Sequence, residues 1–199
     1  IRDVAVTGVQ TCALPISVVP LTRRLDPREK EGPITIAFIS RIVPAKGVHI
    51  LIDAFEMLMA RGYDDVELVV IGSTYIHSYA AEIKQRIERG PLKNARFLGR
   101  VSQARLSRAY EQASIVVIPS FHEGLCVPVI EALYAGAIPV VTDTAALPET
   151  LNGFGRLSPV GVAAALAERL AEVVADIRAI RRDPRHRSEE HTSELQSRL

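Results

Sequence analysis

Residues 114–143 read SIVVIPSFHEGLCVPVIEALYAGAIPVVTD. Two apolar, β-branched runs, SIVVIPS and AIPVVTD, flank VPVIEALYAG, whose apolar residues recur at helical spacing. Pro128 falls near the start of that helix, where a missing N–H is no loss. A strand, a loop, a helix and a second strand within so short a stretch imply two parallel strands joined by a crossover. The same alternation extends upstream. ITIAFIS (34–40), VELVVIG (66–72) and ARFLG (95–99) read as strands. A helix is predicted from Val48, with Leu51, Ile52, Phe55, Leu58 and Met59 at helical spacing and Gly62 as its stop. Further helices are predicted over residues 78–90, closed by Gly90 and Pro91, over residues 103–113, and over residues 160–181. Five strands alternating with helices give an α/β fold with a doubly wound, Rossmann-like parallel sheet covered on both faces. Ligands of such sheets bind beyond the carboxyl ends of the strands. The loops of interest are therefore 41–47, 73–77, 99–102 and 120–127.

Composition narrows the function classes. Hydrophobic residues make up 48% of the chain and charged residues 24%, with a net charge of +1. That balance excludes an extended electrostatic surface for nucleic acid. No apolar run reaches the ~18 residues that a membrane-spanning helix requires.

The loop after the first strand, SRIVPAKG, holds two cations, Arg41 and Lys46. A diphosphate suits them: Arg offers a fork of donors and Lys a compact charge. Read alone, the loop equally allows two solvated cations. Neither a G-x-x-x-x-G-K-[ST] nor a G-x-G-x-x-G pattern accompanies it. After the fourth strand, Glu123 precedes Gly124, which lets a ligand approach the backbone. Amides of residues 124–127 then lead into a helix N-terminus, which attracts anionic oxygens. Glu131 lies about one turn inside that helix, either as an acceptor for paired hydroxyls or as a solvated carboxylate.

Together SRIVPAKGVHILIDAF, FLGRVSQARLSRAYEQASIVVIPSFHEGLCVPVIEALYAGAIPVV and LPETLNG resemble the C-terminal half of the GT-B glycosyltransferases, particularly the retaining family four. The resemblance covers most of residues 34–157. It implies one GT-B half-domain that binds a nucleotide-diphosphate-sugar donor, with no cofactor and no metal. It implies that Arg41 and Lys46 hold the diphosphate, and that Glu123, first acid of an E-x7-E motif, is catalytic and addresses the sugar. Glu131, the second acid, takes the ribose hydroxyls; Gly124, Leu125, Cys126 and Val127 offer backbone contacts; and residues 99–101 lie near the base. His122 is expected as a wall of the sugar pocket, Cys126 as a residue that reshapes it, and Glu149 as a donor-pocket neighbour. The family's acidic turn after LPETLNG is missing in GRLSPVGVAAAL.

The ends read differently. Codons can be chosen for residues 187–197 whose complementary strand encodes VTGVQTCALPI, the text of residues 6–16. Residues 1–16 and 187–199 are therefore expected to be translated sequencing-adapter DNA, outside any fold reasoning. Residues 17–32, rich in Pro and charge, are expected to be an interdomain linker, and residues 33–186 the donor-binding domain, truncated by fragmentation. Cys126 is then the one native cysteine, so no internal disulfide is expected. The expected protein is a fragment of a retaining glycosyltransferase, inactive alone, whose N-terminal acceptor domain is missing. Its expected location is the cytoplasm, at the inner membrane surface if the acceptor is a lipid. Alternatives are a GT-B nucleotide-sugar epimerase, a phosphorylase, or a non-catalytic nucleotide-sugar binding module.

Overall fold

The computed structural model describes residue 30, residues 32–90 and residues 92–182; the two ends read as adapter-derived, and most of residues 17–32, lie outside these. Among the described residues the order is β1 (Ile34–Ile39), a 3-10 turn (Pro44–Lys46), α1 (Val48–Ala60), β2 (Val66–Ile71), α2 (His77–Arg89) and β3 (Ala95–Gly99). There follow α3 (Gln103–Gln112), β4 (Ile115–Ile118), α4 (Val127–Tyr134), β5 (Ile138–Thr142), α5 (Leu147–Leu151), β6 (Arg156–Ser158) and α6 (Ala163–Arg182).

Every strand pair is parallel, and the sheet order is β3-β2-β1-β4-β5-β6. The chain walks outward from β1 to β3, then returns past β1 to build β4, β5 and β6. β1 and β4 are paired, with Ile36 opposite Ile115 and Ala37 opposite Val116. This is the switch point, where consecutive loops diverge and leave a crevice.

Side-chain alternation along the strands splits the core into two layers. Ile34, Ile36, Phe38 and Val117 pack with α1, α2 and α6 on one face. Ala37, Ile39, Val116 and Ile118 pack with Tyr110 of α3, Val129 of α4 and Leu147 of α5 on the other. In α1, Val48, Leu51, Ile52, Phe55 and Leu58 are fully buried. Each such aliphatic or aromatic side chain contributes about 1.5–3 kcal/mol on burial. The helix stops where Arg61 N–H turns back to Leu58 and Gly62 takes a left-handed φ of 81°.

Two expectations need correction. The sheet has a sixth strand, β6, reached through α5. It is only three residues long, with Leu157 its one apolar side chain. The last helix begins at Ala163 rather than residue 160, because Gly161 turns the chain at φ 72°. Among the described residues the second face is least covered at its β3 edge. Arg96 of the edge strand β3 is exposed and its other residues are half-buried. A groove of about 730 Å³ runs beside α3 over Ala37, Val69 and Leu98. It shares no residue with the switch-point crevice. No described helix is long and apolar enough to cross a membrane.

Candidate functional site

Two loops meet over the switch point. The first follows β1: Pro44 opens its 3-10 turn, and Gly47 closes it by donating its N–H to Pro44 O at 2.9 Å. Gly47 sits at φ 70°, the left-handed region that suits glycine. A Cβ there would lie 1.9 Å from the Pro119 carbonyl oxygen in the loop after β4. The two loops also share a backbone hydrogen bond, Phe121 N–H to Ala45 O at 3.0 Å.

That contact brings together residues 77 positions apart. Lys46 Nζ donates to Glu123 Oε1 at 2.5 Å, with both side chains largely covered, at 12% and 14% exposure. Ser120 Oγ donates to the same oxygen at 2.7 Å. Hydrogen bonds to a charged group are stronger than neutral ones, and partial burial protects this pair from screening. The loop after β5 ties the acid down from its other side. Thr142 Oγ1 donates to Ser120 O at 2.5 Å, Thr144 Oγ1 to Phe121 O at 3.3 Å, and Ala146 N–H to Glu123 O at 3.4 Å.

The remaining expected residues divide into three groups. Arg41 is exposed at the end of β1. Gly124 is exposed with open space around it, and Leu125 is 70% exposed. Cys126 is the N-cap of α4 and makes no side-chain cap, so that helix presents its positive end unshielded; Val127 is its first residue. α1 likewise starts at Gly47 without a side-chain cap. Both helix N-termini therefore favour negative charge beside them.

Cys126 and Glu131 are both buried. The Cys126 side chain packs in the core cluster that holds Val129 and Tyr110. Burial, and then the nearby Glu123 carboxylate, push its thiol up to about 12, which excludes a thiolate nucleophile near neutral pH. Glu131 is not a solvated helix-face carboxylate: it is only 7% exposed. It faces the fully buried Tyr110, whose phenol is raised well above its ordinary value by burial and then by the Glu131 charge.

A ring cluster at the crevice was not foreseen. His49 in the first turn of α1 stacks on Phe121, with centroids 6.1 Å apart and planes 15° from parallel. Its Nδ1 pairs with Tyr79 Oη at 2.8 Å. A histidine three positions beyond Lys46 is visible in the sequence, but its partners lie 30 and 72 residues away. His122 is exposed beside Glu123, and Glu149 is exposed in the first turn of α5. The loop after β3 joins the β2 end through Gly72 N–H to Gly99 O at 2.9 Å. Among the described residues, no three His, Cys, Asp or Glu side chains gather to hold a metal ion.

Comparison with known proteins bears on this arrangement. The family described as Glycosyl transferases group 1 matches residues 22–191. An uncharacterized glycosyltransferase of Methanocaldococcus jannaschii is 31% identical over 117 residues, 59% of this chain and 29% of that protein. The chain thus spans about a third of the length of that relative. The C-terminal domain of the group 1 protein LpcC of Francisella tularensis superposes with a TM-score of 0.66 at 24% identity, covering 80% of this chain and 85% of that one. Anabaena HepE, solved in complex with UDP-glucose, gives a TM-score of 0.61 at 22% identity over 73% of this chain and 40% of its own. The parallel sheet, the switch-point crevice and the family match have one reading: this chain is a GT-B domain and belongs to the glycosyl transferases group 1 family.

Proposed function

We propose that this chain is the donor-binding half of a retaining glycosyltransferase that takes a sugar from a nucleotide-diphosphate-sugar. The observation that carries the reading is the convergence of Lys46 and Glu123 from separate loops over the switch point. A cation suited to phosphate sits beside a carboxylate suited to sugar hydroxyls, which is the junction such a donor contains. The UDP-glucose held by the structural neighbour HepE supports the same ligand class.

The chemistry follows from charge. Breaking the bond between sugar and diphosphate leaves growing negative charge on the leaving phosphate. Lys46, already held beside Glu123, and the uncapped N-termini of α1 and α4 are in place before the reaction begins, with Arg41 an exposed cation after β1. They therefore stabilise the transition state more than the ground state. Removing one such donor costs roughly 3 kcal/mol, about a hundredfold in rate. Glu123 orients the sugar through its hydroxyls, Glu131 takes the ribose hydroxyls, and the amides of residues 124–127 face anionic oxygens. The retaining outcome rests on the resemblance of the two-acid segment to family four. Acceptor binding falls to sequence beyond this domain.

The test is calorimetric titration of the folded chain with UDP, GDP and ADP. Saturable binding of at least one is expected. A folded chain that binds none of the three would overturn the donor reading.

A further inference from the structure

The strongest unexplained feature near the crevice is a buried hydroxyl. Ser120 is 1% exposed, yet its Oγ spends its donor on Glu123 Oε1 rather than on the backbone. Thr142, 2% exposed at the end of β5, holds the Ser120 carbonyl in turn. The order is thus strand, threonine, serine, acid.

Glu123 Oε1 has two donors, and they differ in kind. Lys46 carries its charge as a compact ammonium, and it is the group that a diphosphate would attract. Once Lys46 turns toward phosphate, the Ser120 hydroxyl still holds the carboxylate. A hydroxyl whose own backbone is anchored by Thr142 cannot follow the ligand. The Lys46 and Ser120 bonds both fall on Oε1, so Oε2 is the oxygen left to accept from a sugar hydroxyl.

We infer that Ser120 is a positioning residue: it holds the Glu123 carboxylate in its sugar-binding orientation when the lysine is engaged by the donor's diphosphate. This rests on the donor reading above. It assigns Ser120 no contact with the ligand, so its effect must appear only through Glu123, and only for ligands that carry a sugar.

The experiment compares each nucleotide sugar with its own nucleoside diphosphate: UDP-glucose with UDP, GDP-mannose with GDP, and ADP-glucose with ADP. Affinities are measured by calorimetry on the full chain, with folding checked by circular dichroism. Ser120→Ala is expected to lower the preference for the sugar-bearing ligand by about tenfold, the scale of one hydrogen bond to a charged group, with the nucleoside diphosphate affinity held within about twofold. Ser120→Cys keeps the shape but is a poor donor. It should behave like Ser120→Ala, and it carries the test if the alanine variant does not fold. In a Glu123→Ala background the Ser120→Ala change should have no further effect, because a residue acting through another is silent once that other is gone. An undiminished sugar preference in folded Ser120 variants, or a loss that adds to that of Glu123→Ala, would overturn the inference and leave the donor reading standing. A folded wild-type chain that binds no nucleotide sugar would overturn both.

Discussion

Lys46 and Glu123 neutralise each other in the ligand-free chain. From the sequence alone, Glu123→Gln is expected to leave nucleotide affinity nearly unchanged. The geometry changes that expectation. On the proposed donor reading, a nucleoside diphosphate draws Lys46 from a carboxylate and approaches that carboxylate's charge. Glutamine competes less for the ammonium and does not repel phosphate. Glu123→Gln is therefore predicted to tighten nucleoside diphosphate binding, by about tenfold if the gain reaches ~1.4 kcal/mol, within the range for charge-assisted bonds. Calorimetry with the diphosphate that binds wild type checks this, and weaker binding would count against the exchange. Arg41, Lys46 and Glu123 could be singled out because each follows a strand's carboxyl end. Their partnerships were not: Lys46 meets Glu123 across 77 positions, and Tyr110 meets Glu131 only because α3 and α4 cover the same face. Local spacing holds no information about pairs that only the sheet order brings together.

At the scale of elements, α3 shows how the chain terminates a helix that has no basic residue in its own last turn. Lys30, 8% exposed, donates to the carbonyls of Ala113 and Tyr110, so a cation meets the negative end of the helix. Burial, reinforced by Arg181 and opposed by Glu111, lowers its pKa from 10.5 to about 8. Between those values the unfolded chain holds a proton that the folded chain has released. The Lys30 contribution to stability therefore rises with pH from about 8 to 10.5, while below that window the full cost of burying the charge remains. Urea unfolding across pH 7.5–10.5 should show a steeper rise for wild type than for Lys30→Met, and parallel curves would contradict this account. The lysine falls in a stretch whose Pro and charge content reads as linker, so its docking was not legible. β1, β2, β4 and β5 were legible because strands buried on both faces are runs of apolar, β-branched residues. β6 was not, because Arg-Leu-Ser is too short to show a period and gains its place from pairing with β5. α5 has Pro148 near its start and about one turn of chain, too little for helical spacing to register.

On the scale of the whole molecule, both core layers hang on the same strands. β1 gives Phe38 to one layer and Ala37 to the other; β4 divides Val117 from Val116, and β5 divides Val140 from Val141. Neither layer can lose its packing without baring the other side of those strands. Urea is predicted to unfold the domain in one cooperative step, with far-ultraviolet circular dichroism and tyrosine fluorescence coincident. Tyr110 reports on one layer and Tyr63 on the other, in a chain without tryptophan. Two separated transitions would show that the layers are independent. The contact of Gly47 with the Pro119 carbonyl then has a mechanical meaning. The loop after β1 and the loop after β4 are clamped backbone to backbone, with no side chain between Gly47 and the Pro119 carbonyl to compress or rotate. They form one jaw, not two. Little entropy is left to lose there when a ligand arrives, and any closing stroke over that ligand must be delivered by a body on the far side of the crevice.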